Sequence, residues 1–185
     1  MESGAPPMAA VFNERAAVFV CYAHADNENR DPKLRWLYRL LEFLALFVRQ
    51  DDLTIWSDKK IKIGDHWHQR ISIQLGISRV VVLLVSPAFL ASEYIANSEI
   101  PTLLMNAADR GVTILPVIIS PCLYEEAVFR YPDPRLGPHS MKLSSLQASN
   151  PPSRTLIEMS EAEQDRVLLE LARTVRRAAA EARPL

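Results

Sequence analysis

Glu99 is the residue with the clearest capacity for chemistry. Its neighbours four positions away, Ile95 and Leu103, are apolar, so in a continuous helix the carboxylate sits on or beside the buried face and not on a solvated one. Partial burial of this kind raises a carboxyl pKa. Pro101, two positions on, cannot donate to the carbonyl of Asn97 and disfavours helix at Ile100. The sequence therefore predicts a kink or a helix start beside the carboxylate. A perturbed carboxylate in such a place fits a functional site, and taken alone it fits a capping or paired structural role as well.

The other candidates are weaker. Asp65-His66-Trp67-His68 offers two imidazoles, but His residues two apart diverge on a helix and no further His or Cys cluster completes a ligand set. No metal site is predicted. No GxSxG surrounds a serine, so Ser86 reads as a polar strand end and not as a nucleophile. Neither GxGxxG nor GxxxxGK[ST] is present, which disfavours dinucleotide-binding dehydrogenases and P-loop NTPases. A phosphoacceptor receiver domain would need an acidic cluster after its first strand to hold Mg²⁺, and only Asp26 lies there.

The elements that must position these residues follow from the apolar pattern. AVFVCY (17–22) reads as a buried first strand running into the polar AHADNENRD. Asp31 and Pro32 mark a helix start, followed by Leu34, Leu37, Leu41, Leu44 and Val48 at helical spacing. A second row, Trp36, Leu40, Phe43 and Phe47, widens that face, as deep burial or contact with another protomer would require. LTIWSD (53–58) reads as a second strand, and KKIKIGD as a polar loop turning at Gly64. Trp67, Ile71, Ile73, Leu75 and Ile77 suggest a short helix before VVVLLVS (80–86), the clearest buried strand. A helix over 92–108 leads through Gly111 to a fourth strand, VTILPVII (112–119), whose far half Pro116 demotes. A weak fifth strand is expected over 141–146, and Ser160 with Glu163 forms a capping box that opens a last helix bearing Val167, Leu168, Leu171 and Val175. Alternating strands and helices imply a doubly wound, flavodoxin-like α/β fold with a five-stranded parallel sheet. Ligands of such sheets bind beyond the carboxyl ends of the strands, where 22–26, 58–67 and 86–99 fall.

Length and composition agree with one domain over 16–183 behind a flexible tail over 1–15. With 49% apolar and 23% charged residues the chain resembles soluble globular proteins, so disorder and fibrous classes are disfavoured. Two cysteines, Cys21 and Cys122, are too few for a disulfide scaffold and suit a reducing cytoplasm. No signal peptide or membrane span is evident. A net charge of −1 argues against direct nucleic-acid binding, and the arginines of the last helix, interspersed with Glu170 and Glu181, read as a solvated face.

Three segments, in order and at matching spacing, resemble the bacterial branch of the TIR (Toll/interleukin receptor) domain family. VFVCYAHAD resembles its first box; IWSDKKIKIGDHW its second strand and BB loop; VVVLLVSPAFLASEYIANSEIP its third strand and the helix carrying the family's glutamate. The likeness runs from Val18 to Ile119 and more loosely to Ala178. It implies cleavage of the nicotinamide–ribose bond of NAD+ as substrate, without a further cofactor, by a catalytic Glu99 that follows Ser92-Glu93-Tyr94. The product would be that of an NAD+ glycohydrolase or of an ADP-ribosyl cyclase. Tyr22, Ala23 and His24 would line the nicotinamide end, His24 standing where many relatives carry a small polar residue; Asp58, Trp67 and Ser92 complete the implied substrate site. Trp67 is read equally as a core anchor. Ile61, Lys62, Ile63 and Gly64 of the BB loop are implied as an interface in a homo-oligomer or filament of TIR domains, or pack on their own domain. The resemblance further implies a cytoplasmic effector of innate immunity or antiviral defence, with a fused or associated sensor module as partner. The alternatives are a non-enzymatic TIR adaptor and a virulence-type mimic of host adaptors.

Overall fold

A computed structural model describes residues 16–57, 73–133, 135 and 137–181. The expected tail over 1–15, the chain end at 182–183, Asp58, Ile61, Lys62, Ile63, Gly64, Trp67 and the His66/His68 pair lie outside the described residues.

Four parallel strands form the main sheet: β1 (Ala16–Tyr22), β2 (Leu53–Trp56), β3 (Val80–Val85) and β4 (Thr113–Ile118), in the order β2-β1-β3-β4. The two central strands, β1 and β3, are buried at every position, which is why their sequences are unbroken apolar runs and not alternating ones. Register sets Val18 beside both Ile55 and Val80, and Cys21 beside Leu83. Because successive side chains leave a strand on opposite faces, Val18, Val20 and Tyr22 enter one apolar layer while Phe19, Cys21 and Ala23 enter the other. The first layer is closed by α1 (Trp36–Arg49) and α4 (Glu161–Glu181). The second is closed by α2 (Pro87–Ala91), α3 (Ile100–Arg110) and a short helical stretch over 73–77. Helices on both faces of a parallel sheet are the doubly wound arrangement that the strand and helix alternation implied.

One helix start differs from expectation and another agrees with it. Asp31 caps only a 3-10 turn (Pro32–Leu34), its carboxylate accepting from the Lys33 amide at 2.9 Å. Arg35, with φ −92° and ψ 79°, interrupts the run while its side chain donates to the Asn29 carbonyl at 2.7 Å, and α1 begins at Trp36. The capping box of the last helix forms as read: the Glu163 carboxylate accepts from the Ser160 amide at 2.9 Å.

The strand count is corrected to four parallel strands among the described residues. Of the segment expected as a fifth strand, only Met141 and Lys142 are extended, at the end of an antiparallel hairpin of β5 (Val128–Asp133) with β6 (Gly137–Lys142), and Leu143–Ser145 form a 3-10 turn. The hairpin's own turn is set by Gly137 at φ 78° and by Asp133, whose carboxylate accepts from the Arg135 amide at 2.8 Å. β4 also continues through Pro116. The Pro116 carbonyl accepts from the Ser149 amide at 2.8 Å on the side away from β3, so the missing N–H faces that side too and no ladder bond is lost. Two residues on, the Asn150 amide both accepts from the Ile118 N–H (2.9 Å) and donates to the Ile118 carbonyl (3.0 Å). Ser149 and Asn150 thus cover the edge that a fifth strand would have occupied.

Candidate active site

The carboxyl ends of β1 and β3 meet the segment that follows β3, and Glu99 lies at that junction. Ser86 ends β3 and caps α2: its hydroxyl accepts from the Phe89 amide at 3.0 Å. Ser92 closes α2 and opens the next helical run, its hydroxyl accepting from the Ile95 amide at 3.3 Å and its carbonyl from the Ala96 amide at 2.9 Å. That run does not continue as a regular α-helix. Ile95–Glu99 form a π-helical turn, in which the Ile100 amide reaches back five residues to the Ile95 carbonyl. Pro101 is the cause on physical grounds, since it offers no N–H to Asn97 and its ring crowds that carbonyl. The Thr102 hydroxyl donates to the Ser98 carbonyl at 2.8 Å within the same irregular turn.

The π turn leaves Glu99 only 5% exposed, among Ile95, Ile100 and Leu103. The Cys21 thiol donates to Glu99 Oε2 at 2.6 Å. Asp26 lies in a 3-10 turn (His24–Asn27) after β1 and accepts a hydrogen bond of 2.5 Å from Ser86. Burial pushes the Asp26 carboxyl above its usual range, and the Ser86 bond opposes that rise. The unfolded chain releases this proton near the ordinary value of 3.8, while the folded protein holds it to higher pH. The folded state therefore binds more protons in that window, and the stability tied to Asp26 declines as pH rises through it. Asp26→Asn abolishes the decline, so the melting temperature of the variant minus that of the wild type is expected to grow from acid to neutral pH. A flat or shrinking difference would show that burial does not dominate at Asp26.

The implied substrate residues do not all converge. Ala23 lies on the Glu99 side of the sheet, and Ser92 starts the run that carries Glu99. Tyr22 lies in the opposite layer with Trp36, its ring stacked on His24 at 5.4 Å between centroids. His24 itself is exposed. Sequence reasoning missed Cys21 as a partner of Glu99 and Asp26 as a partner of Ser86. The period-2 alternation of β1, which puts Cys21 on the face of Phe19, was the available signal for the first. A groove of about 760 Å³ lies on another side of the Glu99 segment, between it and β5; Ala96, Asn97, Pro101, Phe129 and Arg130 line it and Glu99 does not. Among the described residues no group of three or more His, Cys, Asp or Glu could hold a metal ion, and no helix is long and apolar enough to cross a membrane.

The family model of the TIR domain matches residues 18–142. The chain belongs to the TIR domain family. The matched span contains Cys21, Asp26, Ser86, Ser92 and Glu99, with α4 beyond it. A curated relative, the uncharacterized protein y4lF of Sinorhizobium fredii (strain NBRC 101917 / NGR234), is 28% identical over 113 residues, covering 61% of this chain. The alignment spans 33% of that relative's length. Among solved structures, the TIR domains of the activated Roq1 resistosome directly recognizing the pathogen effector XopQ align over 90% of this chain and 84% of theirs, at 13% identity and a TM-score of 0.46.

Proposed function

We propose that this TIR domain is an NAD+ nucleosidase with Glu99 as its catalytic carboxylate. The observation that supports this most is the nearly buried Glu99 on a π turn, beside the carboxyl end of β1. Nicotinamide in NAD+ is already cationic and leaves without a general acid. As the C1′–N bond breaks, its electron pair goes to the departing nicotinamide, and positive charge develops on the ribosyl ring. A fixed carboxylate stabilises that charge in a site of low dielectric. Water then adds to C1′ and releases a proton, giving ADP-ribose, or a nitrogen of the adenine captures the same carbon and closes a ring. Resolving the products of concentrated protein with NAD+ tests the activity and separates the two fates.

The competing reading is a non-enzymatic adaptor that works through TIR–TIR contact alone. The enzymatic reading requires in addition that substrate reach a carboxylate that is covered in the single chain. Under the enzymatic reading the site opens or is completed when protomers assemble, with Ile61, Lys62, Ile63 and Gly64 proposed at the contact. Nicotinamide release per chain is then expected to rise steeply with protein concentration or crowding. A rate per chain that stays constant over the dilution series would identify a self-sufficient monomer, and no release at any concentration would leave the adaptor. An effector role in immune signalling, with a sensor module as partner, belongs to the same proposal.

A further inference from the structure

We propose that Cys21 is a positioning residue for Glu99, its thiol tethering the carboxylate to the central strand of the sheet. The inference rests on the assignment of Glu99 as the catalytic group. Cys21 stands on β1 where that strand pairs with β3, opposite Leu83, two residues beyond the last partner on β2, Phe19↔Trp56. Its Cα is therefore held by the ladder with β3 in a buried strand. Glu99 ends a π turn, whose hydrogen-bond ladder is shifted by one residue from that of an α-helix. The two side chains, 78 residues apart in sequence, meet in the layer of Phe19, Leu83, Val85 and Phe89, where the thiol donates to Oε2 at 2.6 Å.

The residue type suits the place. A thiol packs as a small apolar group yet still carries one weak donor, so it fits an apolar wall and binds a carboxylate from it. When Glu99 is ionised the acceptor is charged, which is the stronger class of hydrogen bond. Donation to the carboxylate also favours the ionised form, against the burial that favours the protonated one. Removing the donor should thus affect turnover more than substrate binding, and should move the acid limb of the rate profile to higher pH.

The test uses the full chain, assembled at high concentration, in a Cys122→Ser background that leaves Cys21 as the single thiol. Cys21→Ala is expected to lower kcat about 10- to 100-fold, the range spanned by a hydrogen bond to a charged group, with little change in KM. Its acid limb should shift upward, and Cys21→Ser, which restores a donor of similar size, should recover both. A filler of space alone would alter melting temperature and leave the limb in place. Independently of activity, the infrared S–H stretching band of Cys21 should move to higher frequency in Glu99→Ala as the thiol loses its acceptor. Wild-type kcat and pH profile in Cys21→Ala, failure of folded Cys21→Ser to recover turnover, or an S–H band indifferent to Glu99→Ala would each overturn the proposal. Should the wild type release no nicotinamide, the nucleosidase assignment falls, and the infrared band still decides the tether: a shift upholds it and an unmoved band removes it.

Discussion

Glu99→Gln is expected to abolish release of nicotinamide from NAD+ while the domain stays folded. The substitution preserves side-chain length and volume, and its amide oxygen can still accept from the Cys21 thiol that now meets Oε2. What disappears is the negative charge opposite the developing ribosyl cation. Preorganised charge of this kind contributes more than any single contact to many enzymes, and removal of one such group costs about 10²- to 10³-fold in kcat. Because the charge matters in the transition state and little in the ground state, KM should change far less than kcat. The apolar layer around Ile95, Ile100 and Leu103 remains intact, so circular dichroism and melting temperature should stay near wild type. Glu93 is the natural control: it lies exposed on the same run, and Glu93→Gln should cleave NAD+ normally. Turnover retained by folded Glu99→Gln protein would remove the carboxylate from the mechanism.

The legible parts of this chain were those where one local rule governed. β1 and β3 could be read because burial on both faces leaves only apolar residues in them, and Gly111 could be read as a helix stop because it sits at φ 73°. The irregular backbone at Glu99 followed from Pro101, although the sequence did not say whether a kink, a start or a π turn would result. The burial of Glu99 followed from its apolar neighbours at four-residue spacing. The contacts that complete the site were less legible. Cys21 meets Glu99, and Asp26 meets Ser86, only once strand register and a crossover are fixed; the alternation of β1 gives the face of Cys21, but no local pattern names either partner. Tyr22 illustrates the cost of reading a segment as a unit. Adjacent residues of a strand face opposite ways, so Cys21 and Tyr22 enter different layers. Pro116 misled because its effect depends on which way its nitrogen faces, and that direction is visible only from the partner of its carbonyl.

The edge beyond β4 carries the largest stability effect expected of a single polar side chain here, and it lies at Asn150. This residue is 3% exposed and its amide acts in place of a neighbouring strand. It accepts from the Ile118 N–H at 2.9 Å, donates to the Ile118 carbonyl at 3.0 Å and donates to the Arg154 carbonyl at 3.1 Å. Asn150→Ala strips the partners from both backbone groups of Ile118, itself buried in the core. A buried polar group left without a partner costs about 1–3 kcal/mol, so the two together should cost roughly 2–6 kcal/mol. In a domain of this size each kcal/mol lowers Tm by about 2–4 °C, which places the expected fall at roughly 4–24 °C. Asn150→Asp should lose much of the same stability at neutral pH, because a carboxylate accepts from the Ile118 N–H and cannot donate to its carbonyl. Ser149→Ala should melt like the wild type, since the bond from Ser149 to Pro116 comes from the backbone and survives the change. Thermal unfolding of the three variants followed by circular dichroism decides the matter. If Asn150→Ala melts with the wild type, Asn150 does not replace the missing strand, and the edge of β4 is closed by other contacts.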